Sequence, residues 1–153
     1  MAVRQGTEQD LDQLVGLYKS FFVVHNRFRQ SSEEIKAYLK EQMAQNQLFV
    51  SEFEGQIKAA MLLVNFGSSV DGTHKLWKYR HFAWEHEENF RELLEYAENV
   101  IRQSSKTAKV ELTLAENEPG IHMYSAHSYE QEAALRNHYR PGETCFIMSK
   151  DFA

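Results

Sequence analysis

Apolar side chains recur at intervals of three and four near the start of the chain, switch to intervals of two from Gln47, and return to three and four around Phe90. Those changes of period divide the sequence into elements. Leu11, Leu14, Val15, Tyr18, Phe21 and Phe22 form the stripe of a core-facing helix, with Thr7 and Asp10 as its start signal. Ser31 with Glu34 repeats that signal ahead of Ile35, Tyr38, Leu39 and Met43, which predicts a second, shorter helix, and "HNRFRQ" between the two reads as a loop. "QLFVSEF", the pair Glu54-Gly55 and "QIKAAMLLVNF" predict a hairpin with a nearly all-apolar second arm. After the turn "GSSVDG" comes a strand, "KLWKYRHFAW", then a helix from Glu88 carrying Phe90, Leu93, Leu94, Ala97, Val100 and Ile101. "AKVELTL" predicts a strand, and Pro119 opens a short helix with Ile121, Met123 and Tyr124, since a first helical residue forfeits no internal hydrogen bond. Two last strands, Glu132 to Tyr139 and Thr144 to Lys150, flank the turn "RPGE".

The order β-α-α-β-β-β-α-β-α-β-β predicts an α+β fold in three layers, a mixed, mostly antiparallel sheet of about seven strands with helices on both faces. With 153 residues, and no repeat, linker or low-complexity tract, a single domain over residues 1-153 is expected.

Composition narrows the classes of function. No apolar run approaches the roughly 20 residues of a membrane helix, so no membrane partner is expected. The opening "MAVRQGTEQD" has no signal-peptide core and no Asn-x-Ser/Thr occurs, so the expected location is cytoplasmic. A net charge of −5 repels phosphate backbones, and no nucleic acid partner is expected. The basic and aromatic residues of "KLWKYRHF" read as a half-buried strand with Trp77, Tyr79 and His81 on one face and Lys78 and Arg80 on the other. A lone Cys145 in the apolar run "TCFIMS" excludes an internal disulfide and reads as a buried structural thiol. No metal is expected: His86-Glu87 is half of a His-Glu-x-x-His site, with Phe at position 90, and His122 and His127 do not share a helical face.

Three stretches carry a resemblance to a known family. "VRQGTEQDLDQLVGLY" is similar to the first strand and helix of the GNAT superfamily of acyl-CoA-dependent N-acetyltransferases, and "LFVSEFEGQIKAAMLL" to its second and third strands. The run from Asn117 to Phe152 resembles the family's C-terminal part, with Asn117, Gly120 and Tyr124 matching and Ser128-Tyr129 standing where Gly-Phe is expected. The resemblance implies a GNAT-like fold, acetyl-CoA as co-substrate, and an amine acceptor, either a small molecule or a protein N-terminus or lysine. It also implies that the strand ending at Trp84 and the strand from Lys109 to Leu114 splay apart to admit the pantetheine arm.

Residue by residue, the resemblance makes Tyr124 the general acid toward the CoA sulfur, a role worth about 10² to 10⁴ in rate. Backbone N-H groups of Phe82, Ala83 and Trp84 would stabilise the oxyanion, and Asn117 would help hold the cofactor, with a helix cap ahead of Pro119 as its other reading. For the base that deprotonates the amine, Glu85 ranks ahead of His81 and Glu111. The segment carrying His25, Arg27 and Arg29 falls where the acceptor wall forms, and its arginines suit a carboxylate or phosphate. The family's glycine-rich phosphate loop is missing from "AWEHEENFRELL", which leaves the start of the following helix, Glu88 and Asn89, as the phosphate contact. Each of Glu85, Glu87 and Glu88 at about 7 Å from a phosphate charge opposes it by roughly 0.6 to 2.4 kcal/mol. A second reading is therefore a GNAT-shaped binding or regulatory module without catalysis, and edge strands near the C-terminal hairpin suit a homodimer.

Overall fold

The computed structural model describes residues 2–23 and 26–153. Strand β1 (Ala2–Gln5) leads through a 3-10 turn, Glu8–Asp10, into α1 (Leu11–Phe21), and α2 (Ser32–Gln45) follows. Next come β2 (Gln47–Phe53), β3 (Gln56–Ser68), β4 (His74–Trp84), α3 (Glu87–Ser104), β5 (Thr107–Ala115), α4 (Ile121–Ala126), β6 (Glu130–Arg136) and β7 (Thr144–Phe152). The strands hydrogen-bond in the order β1-β2-β3-β4-β5-β7-β6, and the sheet is mixed, mostly antiparallel and seven-stranded, in agreement with the expected fold class. The parallel pair is β4 with β5, while β7 returns antiparallel between β5 and β6.

Contacts group the chain into two compact units, Met1–Val64 with Tyr79–Val100, and Asn65–Lys78 with Ile101–Ala153. In the first, α1 and α2 bury Leu14, Tyr18, Ile35 and Leu39 completely against Leu48, Val50, Ala60 and Leu62 of the hairpin. The alternate residues of the hairpin face the other way, and Phe49 meets Tyr96 of α3 at 5.1 Å between ring centroids. Phe90, Leu93, Leu94 and Ala97 of α3 are fully buried, each large side chain contributing roughly 1.5–3 kcal/mol. Helices thus lie on both faces of these strands. Ser31 caps α2 as its spacing to Glu34 predicts, its Oγ accepting the Glu34 N-H at 3.2 Å. Arg4 ties β1 to the turn before α1, forking onto both carboxylate oxygens of the buried Asp10 at 2.8 Å, while its Nε reaches Glu52 at 2.8 Å.

In the second unit β7 lies between β5 and β6 and pairs antiparallel with both; Val110, Leu112 and Leu114 are buried, and Val110 and Leu112 oppose Lys150 and Met148. The last strand in the order, β6, is mostly exposed, carries Glu130, Glu132 and Arg136, and shifts register between Gln131 and Ala133. Charges and a bulge of this kind discourage edge-to-edge pairing.

Three local expectations differ from what forms. "HNRFRQ" holds a 3-10 helix, Asn26–Arg29, because Phe28 is only 2% exposed and its ring stacks 4.9 Å from Tyr18, which fastens a polar segment to the core. α4 starts at Ile121 rather than Pro119, because Gly120 at φ 113° supplies the turn into it. β6 runs from Glu130 to Arg136 instead of from Glu132 to Tyr139, since Asn137 at φ 54° begins the turn to β7.

Candidate functional site

The distinctive feature of the first unit is the outgoing half of β4. Up to Lys78 the strand is regular, with His74 to Lys78 pairing in parallel with Thr107 to Glu111. At His81 the backbone enters the left-handed region, φ 52°. Two successive side chains then turn to the same helix: Arg80 Nη1 donates to Gln42 Oε1 at 2.7 Å, and His81 Nε2 lies 2.6 Å from Tyr38 Oη. Strict alternation would have sent them to opposite faces, so β4 is bulged here. The expectation that Trp77, Tyr79 and His81 share a face fails at His81. Beyond it Phe82 packs toward α3, its ring 5.9 Å from Tyr79 and stacked 5.0 Å from Phe90, while Ala83 joins the α1 and α2 side. Trp84 touches Phe21 at 4.6 Å and Phe90 at 4.7 Å. The residues expected as oxyanion donors, Phe82, Ala83 and Trp84, therefore occupy the stretch where the strand leaves its regular path.

The step from β4 into α3 uses side chains in place of glycine. Glu85 N-H donates to the Lys58 carbonyl at 2.9 Å, and Lys58 Nζ returns to Glu85 Oε2 at 3.0 Å. Asn89, 2% exposed, accepts the His86 N-H on Oδ1 at 3.2 Å, while its own N-H donates to the His86 carbonyl at 3.0 Å. Asn89 thus closes the first turn of α3, which begins at Glu87, one residue before the expected start. A pocket of about 260 Å³ opens beside it, lined by Phe53, Lys58, His86, Glu88 and Asn89. Glu85, the first-ranked base, is thus held by a cation, and Glu88 and Asn89 share one small pocket.

Arg27 is exposed, with its guanidinium 4.2 Å from the centroid of the Tyr38 ring. The His81 ring sits edge-on to Phe28 at 4.9 Å and to Tyr38 at 5.6 Å, with Tyr18 and Phe22 each at 6.1 Å. Burial pushes the Tyr38 phenol above its ordinary range although Arg80 and Arg27 pull it down, so its proton stays on at neutral pH. Tyr18 is pushed up much further by complete burial, and its hydroxyl has no hydrogen-bond partner among the described residues. Arg29 is exposed, and His25 lies outside the described residues.

In the second unit the step from β5 into α4 is made by backbone and a half-buried acid. Glu118 Oε2 accepts the Ala115 N-H at 3.3 Å and its own N-H returns to the Ala115 carbonyl at 2.9 Å. Burial pushes the Glu118 carboxyl up, a shift opposed by the Ala115 N-H and by Arg140 and reinforced by Glu143. Gly120 caps α4, so Asn117, which is exposed, does not. Tyr124 is fully buried, its ring 5.5 Å from that of Tyr129. Ser128 takes φ 72° and Tyr129 is 3% exposed, so this pair performs the left-handed turn and ring burial that the expected Gly-Phe would perform. Burial pushes the Cys145 thiol up, away from the reactive thiolate.

Among the described residues no group of three or more His, Cys, Asp or Glu is placed to hold a metal ion. No helix among the described residues is long and apolar enough to cross a membrane. Sequence reasoning overlooked Phe53, Lys58, Tyr38 and Glu118, because each matters through a partner distant in sequence or through burial, and neither leaves a local pattern.

No family model matches the chain, and no curated protein matches it in sequence. Solved structures do match in shape. A ribosomal-protein-alanine N-acetyltransferase from Brucella melitensis aligns with a TM-score of 0.74 over 98% of this chain and 99% of that one, at 15% identity. The aminoglycoside 6'-N-acetyltransferase from Enterococcus faecium aligns with a TM-score of 0.73 over 99% and 97%, at 13% identity. An aminoglycoside 6'-N-acetyltransferase complexed with coenzyme A gives 0.75 over 99% and 97%, at 12% identity. The chain has the fold of the GNAT acyl-CoA N-acyltransferases.

Proposed function

We propose that the protein is an N-acetyltransferase that moves the acetyl group of acetyl-CoA to a primary amine, carried by a small molecule or by a protein N-terminus or lysine. The observation that carries this reading is the bulge at His81, which breaks the strand where the fold's oxyanion donors are expected, at Phe82, Ala83 and Trp84. A bulge re-aims backbone groups out of the ladder and is a recurrent feature beside active sites. When bound, acetyl-CoA supplies an activated acyl carbon and a thiolate leaving group. Backbone N-H groups after the bulge would receive the developing oxyanion, and the Tyr124 hydroxyl would return a proton to the departing sulfur.

The start of α3 fits a diphosphate in part. It offers the dipole of a helix N-terminus and one cation, Lys58, already engaged by Glu85. Lys58 would exchange that carboxylate for a phosphate, and Asn117 remains a candidate contact on the cofactor. Arg27 and Arg29 would select an acceptor that carries a carboxylate or phosphate. Thermal-shift titration with CoA and acetyl-CoA tests the reading. Saturation at one hundred times Kd adds about 2.7 kcal/mol, which for a chain of this size raises Tm by about 5 to 10 °C. No rise at millimolar acetyl-CoA would instead favour a GNAT-shaped binding module without catalysis, the reading that the acidic, glycine-free junction supports.

A further inference from the structure

The hydrogen bond between Tyr38 and His81 is the most telling polar feature that the proposed chemistry leaves unused. It joins α2 to the bulge one residue before Phe82, and both side chains are half-buried. Its environment is apolar on three sides, with Phe22, Phe28 and Tyr18 ringing the imidazole. The titratable and charged groups facing the pair are Tyr18 from α1, Glu41 from α2, Arg27 from the 3-10 turn and Arg80 from β4.

Resting on the acetyltransferase reading, we propose that Tyr38 and His81 form the relay that deprotonates the acceptor ammonium, with Tyr38 as the group touching the substrate and His81 positioned behind it. One N-H bond of the ammonium breaks and its proton goes to Tyr38 Oη, while the phenolic proton moves to His81 Nε2. The products are a neutral amine, an unchanged phenol and an imidazolium, which releases its proton to solvent. The amine then attacks the thioester, and the second proton it loses balances the thiolate that Tyr124 protonates. Two features favour this pair over Glu85. Glu85 is neutralised by Lys58 at 3.0 Å, whereas Tyr38 holds a proton that it can donate to His81 only if Nε2 is bare. The relay therefore requires a defined tautomer, with the neutral imidazole carrying its proton on Nδ1.

Ring-labelled histidine NMR of the full chain reads that tautomer without any acceptor. The expected spectrum has neutral His81 in the Nδ1-H form, with that tautomer changed by Tyr38→Phe. A neutral His81 bearing its proton on Nε2, or one indifferent to Tyr38→Phe, overturns the relay. Acetyl-CoA-dependent release of CoA thiol is then followed against pH with kanamycin, spermidine and an alanine-initiated peptide as probes. If one is acetylated, His81→Gln should lower kcat/KM about 10² to 10⁴-fold and abolish its acidic limb, with acetyl-CoA affinity and Tm retained. A variant that keeps the wild-type pH profile sinks the relay while sparing the acetyltransferase reading. Failure of the wild type to bind acetyl-CoA removes that reading and the relay together. If acetyl-CoA binds but no probe is acetylated, the tautomer decides.

Discussion

The chain passes from strand to helix twice at candidate chemistry, and the two junctions are built on opposite principles. From β4 to α3 the turn is held by side chains: Lys58 pairs with Glu85, and Asn89 closes the first turn on the His86 N-H. From β5 to α4 it is held by the backbone, through Gly120 at φ 113°, and by the half-buried Glu118 on the Ala115 N-H. At the first junction Glu85 has a cation and solvent at hand. At the second, a carboxyl group and the Tyr124 ring are withdrawn from water, which is the environment that shifts proton affinities and suits acid-base chemistry. A helix start rich in acids thus serves its own dipole, while the short helix holds the group proposed to transfer a proton.

Tyr124→Phe should produce the largest effect. Turnover should fall about 10² to 10⁴-fold with acetyl-CoA affinity unchanged by calorimetry, and a variant with full turnover would reduce the second junction to packing. At the first junction Phe90→Ala should cost about 3–5 kcal/mol in urea unfolding, because Phe90 is fully buried against Phe82 and Trp84. A loss below about 1 kcal/mol would mean that the aromatic cluster does not set the junction.

Titration sharpens the contrast through its sign. The Glu118 carboxyl is raised, so its contribution to stability is present below the unfolded value, about 4.3, and is lost as pH rises through the folded one. Asp10, depressed chiefly by its hydrogen bonds to Arg4, contributes above about 3.9 and loses that contribution as pH falls through its folded value. Urea midpoints measured from pH 3 to 7 should show Glu118→Gln gaining on the wild type as pH rises, and Asp10→Asn losing to it. Parallel curves would refute both assignments. The smallest effect is a gain: Ser128→Gly should stabilise by about 0.5–1 kcal/mol, since φ 72° burdens a residue with a Cβ, and an unchanged Tm would show that the strain is already relieved.

The fold could be read because its elements keep one period for long stretches. The stripe from Leu11 to Phe22 and that from Phe90 to Ile101 are interrupted by nothing, and the Ser31 cap announces itself by its spacing to Glu34. The candidate site was legible only as a place. Sequence led to the residues from Phe82 to Asn89 and to Tyr124, but it could not reveal that Glu85 is taken by Lys58, a partner on β3 across a pairing no local pattern encodes. Nor could it foresee the bulge, because His81 continues the alternation of Trp77 and Tyr79 in letters while its backbone departs from it. Phe28 in "HNRFRQ" misled in the opposite sense, a single ring sufficing to order a segment whose composition is polar.

The additional residue in β4 also determines how this chain can be matched with others. Lining it up against a regular strand without a gap would place every side chain from Phe82 onward on the wrong side, exchanging the α3-facing ring for the small Ala83. Similarity measured position by position is therefore blind at the stretch where resemblance would matter most, and superposition of backbones is the surer guide to ancestry.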